Sequence, residues 1–320
     1  MMYVGKPPWH GLGTSLFQPA TALEAIQAAN LGCNVVKQPL YMGDPDECLY
    51  PVDGKYAIVP ADKWGNTECP IFGIVGPEYT PLQNSKAFEF FDPIIGEGAA
   101  IYHTAGALDD GQRIWILAKL PSYIEVANDD ITDKYLLLSN SHDGNSSVQI
   151  KFTPIRVVCW NTLTMALKHG STVRVPHRRD VQRRLEEART LLKIIDTRYL
   201  EIEYTFKAMA KTRFNTPRLY EFLNRVFPDP SDPSDVRGRR RIEQMRTAAA
   251  ELFEQGRGNQ KPAVSGTLWA AYNGVTELID HKASSDKAAH LDSIWFGNGY
   301  LTKARAYEVA KQMAGAGHPT

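Results

Sequence analysis

The chain has 320 residues, of which 43% are hydrophobic and 22% charged, which is ordinary for a folded protein with a real core. It has no run of about eighteen apolar residues, so the sequence predicts no membrane-spanning helix, and its first residues lack the apolar core of a signal peptide. We therefore expect a cytoplasmic protein. The four cysteines form no CxxC pair, which disfavours a zinc ribbon and, in this compartment, predicts reduced thiols.

The formal net charge of zero conceals an asymmetry between the two halves of the chain. Residues 1–150 hold 8 basic and 18 acidic residues, a net charge of −10, and the remaining 28 basic and 18 acidic residues give 151–320 a net charge of +10. The basic half favours an anionic partner such as nucleic acid. Attraction between the two halves, or between neighbouring subunits, explains the asymmetry equally well.

The first half of the chain has the pattern of a mixed α and β structure. Helices are predicted over 21–30, which Thr21 and Glu24 begin as a capping box, and over 84–95. Asp53-Gly54 has the composition of a hairpin turn. Strands are predicted over 33–36, 56–59, 71–75, 99–104, 113–120, 135–139 and 148–152. The last four strands form two antiparallel hairpins, with turns at 109–111 and 143–145.

Helical spacing dominates the second half. After a further strand over 156–159, a helix is predicted from Asn161, and others over 181–211, 217–226, 238–253, 267–280 and 302–313. Prolines mark a linker near 228–234. The sequence therefore predicts an α+β fold, with an N-terminal antiparallel sheet and a few helices in a domain over 1–170. A mostly helical C-terminal half follows over 171–320.

The stretch Ser141-His142-Asp143-Gly144 is the first candidate for chemistry. His142 and Asp143 are residue types that ligate a divalent metal, but adjacent side chains on a strand point to opposite faces and do not share one ion without a special turn. Asp-Gly is also a frequent hairpin turn, because glycine tolerates a positive φ. We favour the turn and keep the metal site as the alternative.

Arg156 and Asn161 flank the predicted junction between a strand and a helix. Free N–H groups at a helix start bind anions, and Arg156 would add a bidentate phosphate donor. The alternative is a buried arginine with Asn161 as the helix cap. Nothing in the sequence around Cys159 indicates a lowered pKa, so a nucleophilic role is disfavoured.

Basic residues follow this junction. Residues 168–198 contain nine Lys+Arg and four Asp+Glu, a composition that suits contacts with phosphates but also a solvated helix face. The predicted nucleic-acid-binding residues are Arg156, Asn161, Lys168, Arg174, Arg178, Arg179 and Arg183. A second basic cluster, residues 237–241, is either a further nucleic-acid contact or only a helix start.

Several stretches resemble, in order, the phage/plasmid-like protein family (domain of unknown function 932). They are Trp9-His10-Gly11-Leu12-Gly13, Gly76-Pro77-Glu78-Tyr79-Thr80-Pro81-Leu82-Gln83-Asn84, Ser141-His142-Asp143-Gly144, the segment 153–163, Gly266-Thr267-Leu268-Trp269 and Leu301-Thr302-Lys303-Ala304-Arg305-Ala306. The resemblance implies a home on phages, prophages or plasmids, and hence in a bacterial host. It implies no reaction.

We therefore expect a non-enzymatic nucleic-acid-binding protein of a mobile genetic element. The hairpins followed by a helix at 135–167 resemble the core of strand-annealing proteins, which favours a single-strand annealing or recombination mediator. The expected partner is single-stranded DNA, the expected assembly is a homo-oligomer, and no cofactor is needed. The alternatives are a metal-dependent enzyme acting on nucleic acid or nucleotides, with His142 and Asp143 as ligands of a divalent ion, and an interaction protein that blocks a host defence system.

Overall fold

The computed structural model describes the chain except for residues 5–12, 19, 21, 45, 90–100, 145–147, 160, 163–172, 176–180, 282–285 and 317–320. It divides into two compact units. Unit 1 comprises Met1–Pro121, Leu136–Lys151 and His169–Leu191, and unit 2 comprises Ser122–Tyr135, Phe152–Lys168 and Leu192–Thr320. The domain boundary that the sequence suggested near residue 170 stays a prediction.

The strands occupy the first and central parts of the chain. They are β1 (Met2–Val4), β2 (Thr14–Leu16), β3 (Val35–Asp44), β4 (Cys48–Pro60), β5 (Gly73–Val75), β6 (Ile101–Leu108), β7 (Arg113–Ala127), β8 (Asp130–Ser141), β9 (Val148–Phe152), β10 (Ile155–Arg156), β11 (Asn161–Thr162) and β12 (Val173–Val175).

The described helices lie mostly after the strands. They are α1 (Ala22–Ala28), α2 (Asn84–Glu89), α3 (Val181–Lys211), α4 (Thr216–Val226), α5 (Val236–Gln255), α6 (Leu268–Asp280), α7 (Lys287–Trp295) and α8 (Asn298–Met313), with a short 3-10 turn at Asp109–Gly111. None of these helices is long and apolar enough to cross a membrane.

In unit 1 the main sheet has the strand order β8-β7-β6-β1-β2, and β3-β4-β5 form a separate antiparallel sheet. Five consecutive residues of β7, from Ile114 to Ala118, are buried. Because successive strand residues point to opposite faces, both faces of the sheet are covered at this point.

In unit 2 the short strands β10 and β11 pair with each other, and β10 pairs with the start of β8. Helices α3, α6 and α8 bury aromatic side chains against one another. The rings of Phe206 and Trp269 lie 4.6 Å apart, and Tyr272 and Tyr307 pack around them. Edge and tilted ring contacts of this kind stabilise a core beyond the area they bury.

The α+β class predicted from the sequence is confirmed, but the start of the helical region is later than expected. A large strand-rich central region extends to Val175, and the described helices of the second half begin at Val181. Three local predictions also differ. Residues 53–54 lie within β4 where its register with β3 shifts. The strand predicted over 156–159 ends at Arg156, with a turn over 157–159, and Asn161 begins a strand rather than a helix.

Candidate functional site

The His142 turn is a packed structural element of unit 1. The His142 ring is buried and stacks on Phe72 with a centroid distance of 6.1 Å, and its Nε2 lies 3.0 Å from Asn84 Oδ1. Gly144 has a φ of +78°, and a Cβ at this position would come within 2.6 Å of the Val75 side chain. The turn therefore needs glycine for both its backbone and its contact with β5.

Among the residues that the structure describes, the predicted metal ligands His142 and Asp143 have no third ligand beside them. Within the described ranges, no group of three or more His, Cys, Asp or Glu side chains is close enough to hold an ion. The His142 ring stacks on Phe72, and its Nε2 lies within hydrogen-bond distance of the Asn84 amide. This geometry favours the hairpin turn over the metal site.

Arg156 is the centre of a buried polar network in unit 2. Its Nε donates to both carboxylate oxygens of Asp130, at 2.9 and 3.0 Å. Its Nη1 donates to Arg257 O at 3.2 Å and to Asn259 Oδ1 at 2.9 Å, and its Nη2 donates to Gly258 O at 3.1 Å. Four of the five guanidinium N–H groups are thus occupied within the chain.

Asp130 receives further donors that hold it opposite Arg156. Trp269 Nε1 donates to Asp130 Oδ2 at 2.6 Å, and the Arg156 guanidinium lies 5.7 Å from the centre of the Trp269 ring. Arg156 and Asp130 are both fully buried. A phosphate could reach Arg156 only if these bonds were replaced, so the geometry supports the buried arginine rather than the phosphate donor.

Asn161 lies in a second buried network of unit 2. Its Nδ2 donates to Asn273 O at 3.2 Å and to Thr276 Oγ1 at 3.1 Å. Its strand neighbour Thr162 donates from its backbone N to Asp280 Oδ2 at 2.6 Å. Because Asn161 is completely buried in β11, it offers neither the helix start nor the exposed amide that the predicted anion site required.

The same network contains a buried lysine. Lys303 Nζ donates to Asp280 Oδ1 at 2.7 Å and to Thr162 Oγ1 at 2.5 Å. Burial lowers the pKa of Lys303, and the Asp280 carboxylate opposes part of this shift. The pair connects α6 and α8 to β11. Losing either partner would be strongly destabilising, because the other charge would stay buried and unpaired.

Cys159 has no features of a nucleophile. It is fully buried, and burial raises the pKa of its thiol to about 12. Its backbone carbonyl accepts a hydrogen bond from His281 Nε2 at 2.8 Å. A reactive cysteine needs a stabilised thiolate, which this environment disfavours.

The other predicted phosphate contacts stay predictions. Lys168, Arg178 and Arg179 lie outside the described residues. Arg174 lies in β12 and Arg183 in α3, but the structure describes only their backbones. Of the predicted nucleic-acid-binding residues, the structure places Arg156 and Asn161 in the interior of unit 2. A phosphate-binding role for the basic stretch after residue 168 stays a prediction.

The start of α5 carries exposed arginines that form no ion pair with the described residues. We call Arg237, Arg239, Arg240 and Arg241 the α5 arginine cluster; all four are exposed. In the described part of the chain none has a carboxylate within 4 Å. Asp235 caps the helix by accepting from Gly238 N at 2.8 Å. Positive side chains at the positive end of a helix dipole are unfavourable, so a bound anion would stabilise this arrangement.

A groove of about 630 Å³ lies beside this cluster in unit 2. We call it the α5–α8 groove, and its walls include Phe227, Arg241, Ile242, Met245, Leu301 and Arg305. Arg305 Nη1 donates to Val226 O at 3.1 Å, which holds its guanidinium beside the end of α4. Of the described residues that line the groove, none is acidic. The cluster is visible in the sequence as the run 237–241, whereas the groove leaves no sequence signal, since its walls come from separate helices.

Two buried charge networks and an arginine-rich helix start thus characterise the helical part of this α+β protein. Residues 71–312, about three quarters of the chain, match the family model described as a domain of unknown function (DUF932), and the chain belongs to that family. No curated protein and no solved structure matches the chain.

Proposed function

We propose that the protein binds single-stranded nucleic acid through the α5 arginine cluster. The observation that carries the proposal is the set of four exposed arginines without a carboxylate partner in the described chain, at the start of one helix. Arginine neutralises backbone phosphates without reading sequence, and this contact supplies most of non-specific affinity.

Exposed apolar side chains next to the arginines favour a single strand over a duplex. Val236, which precedes Arg237, is 66% exposed, and Leu301, which lines the groove with Arg241, is 56% exposed. Unpaired bases can pack against such side chains, whereas the bases of a duplex are stacked inside it. Single-strand binding surfaces combine basic groups with side chains on which bases pack, most often aromatic ones; in this proposal the aliphatic Val236 and Leu301 take that place.

The biological setting is a proposal that rests on the motif resemblance. We propose a non-enzymatic protein of a phage, prophage or plasmid that works in the cytoplasm of a bacterial host as a strand-annealing or recombination mediator. A homo-oligomer suits this role, because an annealing protein must hold a length of strand. The metal-dependent enzyme and the anti-defence protein have no observation in the described residues that favours them.

Salt-titrated binding tests the proposal. We expect a labelled oligo-dT of about 20 nucleotides to bind tightly at about 25 mM salt, with a logarithmic salt slope of about −0.7 for each phosphate contacted. Arg237 and Arg240 lie three residues apart on one face of α5. The double variant Arg237→Gln/Arg240→Gln should bind more weakly at low salt, and its slope should be shallower by about 1.4.

A charge-matched variant controls for the loss of net charge. Lys55 and Lys63 are exposed residues of unit 1, and Lys55→Gln/Lys63→Gln removes the same two charges. Its salt slope should equal that of the unmodified protein. Absence of oligo-dT binding at low salt would refute the proposed function, and equal slopes for the two double variants would refute the α5 interface.

A further inference from the structure

The α5–α8 groove differs from the arginine cluster in having a substantial apolar wall. Ile242, Met245 and Leu301 contribute to this wall, with the buried ring of Phe227 behind them. Its volume of about 630 Å³ falls in the range of small-molecule sites, roughly 300–1,000 Å³. The groove is therefore large enough for a nucleobase with its sugar.

The charges at the groove favour an anionic occupant. Arg241 and Arg305 both line it, and neither has a carboxylate within 4 Å in the described chain. Asp229 lies between the lining residues Pro228 and Pro230, but its carboxylate forms an ion pair with Arg246 at 2.9 Å. Apolar walls with two arginines, and no acidic residue among the described lining residues, complement the apolar face of a base and the phosphates on either side of it.

We propose that the α5–α8 groove receives one nucleotide of the bound strand. The base packs against Ile242, Met245 and Leu301, and Arg241 and Arg305 contact the flanking phosphates. This inference rests on the proposed function. It adds a pocket whose affinity depends on a base to the α5 arginine cluster, whose affinity depends on phosphates. An acidic peptide is the competing occupant, since it would also satisfy the arginines.

The test compares oligo-dT with an abasic oligonucleotide of equal length and charge. Burial of apolar surface contributes about 25 cal/mol per Å², so packing about 40 Å² of a base against the groove should make oligo-dT bind roughly 5-fold more tightly than the abasic strand. Leu301→Ser should reduce this ratio towards one while leaving abasic binding unchanged. Met245→Gln is a second variant with the same expected result, which covers the case in which Leu301→Ser does not fold.

Leu200→Ser is the matched control. Leu200 is 66% exposed on α3 and does not line the groove, so the preference for oligo-dT should persist. Equal affinity for the two oligonucleotides in the unmodified protein overturns the base pocket but keeps the proposed function, whereas failure to bind either one overturns both. Displacement of oligo-dT and abasic DNA by polyglutamate at equal concentrations would show that the groove selects charge alone, which also overturns the base pocket.

Discussion

At the scale of single residues, Arg156 has the chemistry of a phosphate donor but stabilises the interior of unit 2. Arg156 has the fork of donors that suits a phosphate, but a carboxylate, three carbonyl-type oxygens and a tryptophan ring surround it in the interior. Taking a guanidinium out of water is costly, and only such a set of partners compensates for it. Arg156 thus joins β10 to the segment before α6.

Replacing Arg156 should therefore affect stability rather than binding. Arg156→Gln leaves Asp130 buried without its main partner, and breaking a buried pair of this kind costs about 3–5 kcal/mol of the free energy of unfolding. Urea denaturation measures the change. We expect the salt slope for oligo-dT, measured at a temperature where the variant is folded, to stay the same.

Arg198→Gln supplies the comparison for this experiment. Arg198 Nη1 lies 2.8 Å from Glu201 Oε2 on the same helix, and both side chains are partly exposed. A pair of this kind contributes roughly 0–1 kcal/mol, so this variant should unfold at nearly the same urea concentration as the unmodified protein. If Arg156→Gln left the free energy of unfolding nearly unchanged and made the salt slope for oligo-dT shallower, Arg156 would instead be a phosphate contact.

At the scale of elements, the helices of unit 2 begin where local chemistry favours a helix start. Thr267 caps α6: its Oγ1 accepts from Ala270 N at 3.2 Å and donates to Val264 O at 2.5 Å. The side chains of Asn215 and Asp286 cap α4 and α7 in the same way. Such caps satisfy N–H groups that have no partner inside the helix.

The cap of α6 can be tested by removing one hydroxyl. Thr267→Ala should lower the free energy of unfolding by about 1–2 kcal/mol, because a buried helix start loses its acceptor. Thr267→Ser keeps the hydroxyl and should recover most of the loss in the same thermal or urea measurement. If the alanine and serine variants were equally stable, the methyl group rather than the cap would be the important feature.

Features fixed by neighbouring residues could be predicted from the sequence, whereas features fixed by distant residues could not. Helices α4, α5 and α6 were predicted because their caps and apolar spacing lie within a few residues. Strand β11 was predicted as a helix because its two residues are fixed by β10 and by Asp280, which is 118 residues away from Thr162. Partners at that separation leave no periodic signal, so the sequence left the burial of Arg156 as one of two alternatives and did not indicate the burial of Asn161.

At the scale of the whole molecule, the opposite charges of the two sequence halves guide where a nucleic acid would bind. Residues 1–150 carry a net charge of −10 and residues 151–320 a net charge of +10. A phosphate chain is attracted by basic side chains and repelled by acidic ones over about one Debye length, roughly 8–10 Å at physiological salt. The proposed surface on α5 and the untested basic stretch after residue 168 both belong to the basic half.

Photo-crosslinking can distinguish these two basic segments without any substitution. An oligonucleotide containing iododeoxyuridine, irradiated on the protein and mapped by mass spectrometry, should attach to peptides from α5 and the start of α8. It should not attach to the acidic β3–β4 hairpin. At about 1 M salt, where the Debye length is near 3 Å, the adducts should disappear. Adducts confined to 168–183 would locate the strand on the stretch first predicted from the sequence and exclude the α5 interface, while adducts mainly within residues 22–89 would contradict the electrostatic basis of both.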